Sequence, residues 1–198
     1  YYTQIIGNPN NPPVLKATAA FSGFGFIDGD KYYGPSLNWG STNVFWRQVR
    51  NFVFDFSNLP VGSSVCGIHW PTAQSTSLQN LVFQMSPAVG TQHVGIFSES
   101  GSAGFMNDLT FNGGNIGLQI GNQQFTVRNL VFNNVVTAIS QLWSWGWLYQ
   151  GIQINNWYVH YVFRPQTFFH PHVPKQVSLR DTSISCRESG FAPTANTC

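Results

Sequence analysis

Charge is what this chain has least of. Asp, Glu, Lys and Arg make up 8% of its 198 residues, about a third of the ~25% usual in a globular domain. The nine Lys and Arg residues form no cluster or stripe, which excludes nucleic acid as an expected partner. No apolar run reaches 18 residues, so no membrane span is expected. Cysteine is scarce and odd in number, at three. Cys66 reads as a small buried hydrophobe, and nothing fixes whether Cys186 and Cys198 pair. His69, His93, His160, His170 and His172 have no metal-ligand spacing with Cys or acids, so no metal site is expected. The glycines follow no phosphate-loop arrangement, so no cofactor is expected. The opening Tyr1-Tyr2-Thr3-Gln4-Ile5-Ile6-Gly7 has neither the cationic region nor the cleavage site of a signal peptide. With 42% hydrophobic and 16% aromatic residues, disorder is excluded as well.

What is present is a repeat. Asn51-Phe52-Val53-Phe54, Asn80-Leu81-Val82-Phe83, Asp108-Leu109-Thr110-Phe111 and Asn129-Leu130-Val131-Phe132 share one phrase, with a degenerate fifth at Gly151-Ile152-Gln153-Ile154. The lead residues are 29, 28, 21 and 22 apart. A second phrase keeps step, with apolar centres Ile68, Ile96, Leu118 and Ile139 at gaps of 28, 22 and 21. Two strand phrases locked at a period in the twenties mean stacked coils. The expected fold is all-β: a right-handed, single-stranded parallel β-helix, incomplete, with the four apolar centres stacked in one interior column. The scarcity of charge agrees. Equivalent side chains in such a stack repeat every ~4.8 Å, where like charges repel and amides can bond to one another. Asn51, Asn80, Asp108 and Asn129 read either as such a ladder or as plain turn formers.

The organisation follows from the repeat. Residues 1–48 hold less regular first coils, broken by Pro12-Pro13 and Gly34-Pro35, with Gly25-Phe26-Ile27-Asp28 as one strand. Residues 49–156 form about five regular coils. From 157 to 198 the period vanishes, and this stretch reads as a non-repeating tail. It is a cap for the open coil end or an aberrant extension such as a translated intron.

Few residues in the regular coils can do chemistry. Asp55, Glu99 and Asp108 are the only acids between 49 and 156. Asp108 holds a corner. Glu99 reads as a solvated turn acid or as one of the two carboxyls glycoside hydrolysis needs. The absence of an Asp cluster argues against a polygalacturonase-like or pectate-lyase-like enzyme. Trp143, Trp145 and Trp147 alternate, which on one strand places three indoles on one face. Facing inward they are core; facing outward they are a platform for sugar rings.

Several stretches together resemble glycoside hydrolase family 55. They are residues 67–78 (Gly-Ile-His-Trp-Pro-Thr-Ala-Gln-Ser-Thr-Ser-Leu), residues 95–106 (Gly-Ile-Phe-Ser-Glu-Ser-Gly-Ser-Ala-Gly-Phe-Met), Asp108 to Gly114, residues 121–130 and the Trp-x-Trp-x-Trp run. The resemblance covers residues 1–156. It implies a secreted, inverting exo-β-1,3-glucanase built from two tandem β-helices, with β-1,3-glucan held between them. Gln74 and Ser102 then match the residues that hold the attacking water, with Glu99 and Trp145 as substrate contacts. The family's general-acid Glu lies on a second β-helix, which these 198 residues do not contain. On this reading the chain is a truncated N-terminal half, inactive alone. A non-catalytic glucan-binding or remnant β-helix is the alternative. Pro71, Val94, Ser98 and Ser100 depart from the family's Gln, Gln, apolar residue and Asn.

Overall fold

The computed structural model describes residues 2–156, together with the backbone of three further strands, Tyr161–Phe163, Val177–Arg180 and Ser183–Cys186. Among these residues the fold is a parallel β-solenoid of about 4 turns. Thirteen strands share one hydrogen-bonded system, and every pairing within it is parallel. The exception is a small antiparallel hairpin of Tyr32–Tyr33 with Ser36–Leu37. Five strand phrases bound four turns, which accounts for one coil fewer than the phrases themselves.

Each turn is bent twice by a residue in the left-handed region. The first row of corners is Trp46, Ser75, Ala103, Gln124 and Gly146, with φ between 55° and 65°. The second, five residues later, is Asn51, Asn80, Asp108, Asn129 and Gly151, with φ between 49° and 67°. Asn, Asp and Gly tolerate this conformation at least cost, so the phrase that leads each repeat marks a bend. The two bends divide each turn into three faces. Face one precedes the first corner, face two is the four-residue stretch between corners, and face three follows the second. The strand Val94–Asn112 runs through two corners, Ala103 and Asp108, and serves all three.

The interior is made of columns. On face one, Ile27, Ile68, Ile96, Leu118 and Ile139 lie in register, and the last four are fully buried. Face two contributes Val49, Leu78, Met106, Val127 and Tyr149. Face three contributes Phe54, Phe83, Phe111 and Phe132, closed by Ile154. The four rings stack at centroid spacings of 5.4, 5.0 and 4.8 Å, within 13° of parallel. The stack explains the glycines of the second phrase. A Cβ on Gly67, Gly95 or Gly117 would lie 2.5 Å from the ring of Phe83, Phe111 or Phe132 respectively. Where Ile154 replaces the ring, the glycine becomes Ala138.

The second row of corners carries both of its expected roles. Asn80 Nδ2 donates to Asn51 Oδ1 at 2.9 Å, and Asn129 Nδ2 donates to Asp108 Oδ1 at 2.9 Å. A second ladder runs parallel to it, from Asn155 to Asn133 to Asn112 at 3.0 and 2.8 Å.

One expectation is corrected. The three indoles do not share a face, because Gly146, with φ of 65°, turns the chain between the second and third. Trp147 is buried and stacks on Phe125 at 5.1 Å, whereas Trp145 is exposed. The expected tail at 157–198 falls largely outside the described residues. The strands described there join the ladder, with Tyr161 opposite Ile139, Val177 opposite Trp147 and Ile184 opposite Ile154.

Candidate active site

The strand Cys66–His69 points Ile68 inward, so alternation sends His69 outward. Its ring is nevertheless fully covered. Tyr32 of the hairpin stacks on one side at 5.5 Å and Phe97 of the next coil also stacks at 5.5 Å, while Phe24 meets the ring edge-on at 4.9 Å. The loop that carries Tyr32 is pinned at several points. Trp39 N donates to both oxygens of Asp30, Arg47 donates to Gly29 O, and Ser41 Oγ donates to Ser100 O.

Both imidazole nitrogens face carboxylates: Nδ1 is 2.8 Å from Asp28 Oδ1, and Nε2 is 2.7 Å from Glu99 Oε1. Burial by itself would depress the pKa of His69. The Glu99 and Asp28 carboxylates outweigh it and hold the ring above its ordinary value. Only the imidazolium can donate from both nitrogens, so geometry and charge agree. The Tyr32 hydroxyl donates to the same oxygen of Glu99. Burial, reinforced by that bond, pushes the phenol upward. Two donors thus converge on Oε1 of Glu99, which fixes the carboxylate. Glu99 is no solvated turn acid, since its side chain is only 15% exposed. Cys66, two residues before Ile68 on the same strand, is buried, and burial pushes its thiol up.

Three residues beyond Glu99 on the same strand stands Ser102. Gln74 Nε2 donates to Ser102 Oγ at 3.0 Å across one coil. Gln74 is exposed and Ser102 is 8% exposed. The two therefore form a polar pair at the rim of face one, just before the first corner. The row continues upward, with Ser102 opposite Gln123 and Gln123 opposite Trp145. Trp145 is 44% exposed. The structure thus brings Gln74, Ser102 and Trp145 into one row and places Glu99 beside it.

Sequence reasoning missed the partners of Glu99. His69 was read only for metal spacing, although both its nitrogens are engaged by carboxylates. A signal existed. Aligning Gly25-Phe26-Ile27-Asp28 with Cys66-Gly67-Ile68-His69 by their isoleucines sets Asp28 opposite His69, as observed. Tyr32 lies on the hairpin outside the repeat, where no periodicity could place it. Of the departures from the family pattern, Ser98 has a plain account. It is buried, and its hydroxyl accepts from Asn122 Nδ2 at 2.8 Å.

A family profile described as rhamnogalacturonase A/epimerase, pectate lyase-like, matches residues 1–161. Residues of the chain are 47% identical over 159 positions to a probable glucan endo-1,3-beta-glucosidase of Arthroderma benhamiae. They are 46% identical over 158 positions to a glucan 1,3-beta-glucosidase of Cochliobolus carbonum. A Penicillium expansum protein named non-secreted LysM effector LysM15 is 45% identical over 157 positions. Each match covers 79% of this chain but only 18%, 20% and 11% of the respective relative. The chain spans a fifth or less of the length of these curated relatives.

Proposed function

The chain belongs to the rhamnogalacturonase A/epimerase, pectate lyase-like family, and from that premise we propose that it is the N-terminal β-helix of an inverting exo-β-1,3-glucanase of the glycoside hydrolase family 55 type. The Gln74–Ser102 hydrogen bond carries this reading. An amide and a hydroxyl fixed against each other across a coil can hold one water between them and the sugar. Positioning of this kind lowers a barrier without needing a strong base at the same spot. Glu99, locked through Oε1, stands beside the pair as a substrate contact. Trp145 offers a ring face.

Inversion also needs an acid to protonate the leaving oxygen. No described residue near Gln74 and Ser102 is free for that part, because Glu99 is ionically paired to His69. We assign the acid to a second β-helix facing this one, as the family resemblance implies. The short coverage of the relatives is in keeping with such a division. β-1,3-Glucan is the substrate in this reading, and the parent enzyme acts outside the cell, where that polymer is laid down.

The deciding experiment uses the parent protein and this chain side by side. The parent is expected to release glucose alone from laminarin, with the α-anomer appearing first by NMR. Oligosaccharide products would replace exo with endo cleavage, and the β-anomer would overturn inversion. The 198-residue chain is expected to retain laminarin binding in affinity electrophoresis and to show no useful hydrolysis. Hydrolysis comparable to the parent would overturn the assignment of the acid to a second domain.

A further inference from the structure

The first row of corners contains one residue that ought not to be there. Ser75, Ala103, Gln124 and Gly146 are small or unbranched, but the same position in the first coil is Trp46, with φ of 55°. A bulky side chain in the left-handed region is strained, and strain of this kind persists where something else requires it. Burial does not require it, since Trp46 is 50% exposed. Its neighbour in the stack, Tyr2, has φ of 57° and is 76% exposed. The two rings stack at 5.6 Å, within 25° of parallel. Two strained corners thus hold an aromatic surface toward solvent.

That surface lies one coil below Gln74 of the polar pair. Trp46 N donates to Gln74 O at 3.3 Å, so Trp46 and Gln74 belong to adjacent coils at the same bend. Continuing upward, the corners Tyr2 and Trp46 are followed, one residue before the corner in each later coil, by Gln74, Ser102, Gln123 and Trp145. Aromatic faces stand at both ends, with amide, hydroxyl and amide between them. Four coil rises separate Trp46 from Trp145, about 19 Å, enough for several sugar rings end to end. No residue in the row is charged. A uronic-acid polymer would find no cation there, whereas a neutral one finds ring faces for its C–H groups and amides for its hydroxyls.

We propose that Trp46, backed by Tyr2, is a substrate-binding platform, and that a neutral β-1,3-glucan chain lies parallel to the coil axis from Trp46 past Gln74 and Ser102 to Trp145. The inference rests on the glucanase reading of the Gln74–Ser102 pair and adds the path of the polymer and a second aromatic anchor.

The test is calorimetric titration of the 198-residue chain with laminarihexaose, beside thermal unfolding. Trp46→Gly removes the ring and suits the left-handed backbone. It is expected to leave the Tm unchanged or raised while weakening laminarihexaose about tenfold, the scale of one aromatic contact. Trp46→Phe is expected to keep most of the affinity, and Trp145→Ala to weaken it to a similar degree. Should Trp46→Gly fail to fold, Tyr2→Ala and Trp46→Asn supply the same comparison. Unchanged affinity in the Trp46 variants, with the wild type binding, overturns the path and leaves the glucanase reading standing. Absence of any laminarihexaose or laminarin binding by the wild type overturns that reading itself. Equal binding of polygalacturonate that also depends on Trp46 overturns the choice of a neutral polymer.

Discussion

Nε2 of His69 lies 2.7 Å from Oε1 of Glu99, thirty residues along the chain and one coil up. With Asp28 on the opposite nitrogen at 2.8 Å, one imidazolium ties three successive coils together beneath the Tyr32 hairpin. The charge matters twice, since it staples the coils and sets the orientation of a carboxylate at the rim of the candidate site.

A pH dependence follows directly. The folded pKa of His69 is raised, so its contribution to stability is complete below the unfolded value of about 6.5 and is lost as pH rises through the folded value. Thermal unfolding across pH 5 to 9 is expected to show a decline on this alkaline side. His69→Gln should cost roughly 3 kcal/mol, because it leaves two carboxylates facing an uncharged group, and should flatten the decline. A variant with the wild-type pH slope would rule out the charged bridge.

His93 should behave in the opposite sense. It is fully buried, its Nδ1 accepts from Ser86 N at 3.2 Å, and its Nε2 donates to Pro60 O at 3.1 Å. Burial lowers its pKa, partly countered by the Pro60 bond. A neutral folded imidazole contributes stability that is complete above about pH 6.5 and is lost as pH falls below it. His93→Gln is expected to soften the acid limb of the same Tm profile and leave the alkaline limb unchanged. Softening of the alkaline limb instead would reverse the two assignments.

The Phe column makes a packing prediction. A Cβ on Gly95 would sit 2.5 Å from both Phe111 Cδ1 and the backbone oxygen of Gly117, so Gly95→Ala should destabilise by about 1–3 kcal/mol through overpacking. Adding Phe111→Ile should recover part of the loss, since the coil with Ala138 already pairs with Ile154 and not with a ring. Denaturant midpoints of the single and double variants measure this. A double variant worse than the sum of the two singles would show that the ring is not what excludes the methyl group.

Most of the fold was legible because its period is a physical necessity. Ile68, Ile96, Leu118 and Ile139 must fall in one column if Asn51, Asn80, Asp108 and Asn129 bend the chain once per turn. The first row of corners was not legible, because Trp46, Ser75, Ala103 and Gln124 have no residue type in common. Missing that bend at Gly146 put Trp147 on the wrong side. Gln74 and Ser102 were singled out by the family resemblance, and their separation of 28 residues, one coil, sets them in adjacent turns. Asp28 was within reach of the same logic, through the alignment of Ile27 with Ile68, but Tyr32 was not, because the hairpin stands outside the repeat.

The polar pair should report in the parent enzyme. Gln74→Ala and Ser102→Ala are each expected to lower kcat on laminarin by about 10²-fold, the scale of misplacing one reacting group, with little change in KM. Acting on one water, they should be far less than additive in the double variant. Steady-state kinetics checks both points, and full additivity would separate the two residues into different roles.

The corner ladder can be divided into its two causes at Asn129. This residue combines a left-handed φ of 55° with an amide bond to Asp108 at 2.9 Å. Asn129→Gly keeps the backbone conformation and removes the bond, as Gly151 does naturally in the next coil. Asn129→Ala removes the bond and adds the left-handed cost of a Cβ, roughly 1 kcal/mol. The bond itself, at an exposed site, should be worth about 0.5–1.5 kcal/mol. The expected order of Tm is therefore wild type, then Asn129→Gly, then Asn129→Ala. If Asn129→Gly matches the wild type, the bond contributes nothing and the amide row exists only because Asn tolerates the bend. If both variants fall equally, the ladder carries the corner and the backbone preference is incidental. Two separate steps would show that the same residue type is selected for both reasons, which is what a stack that repeats one bend at every turn demands.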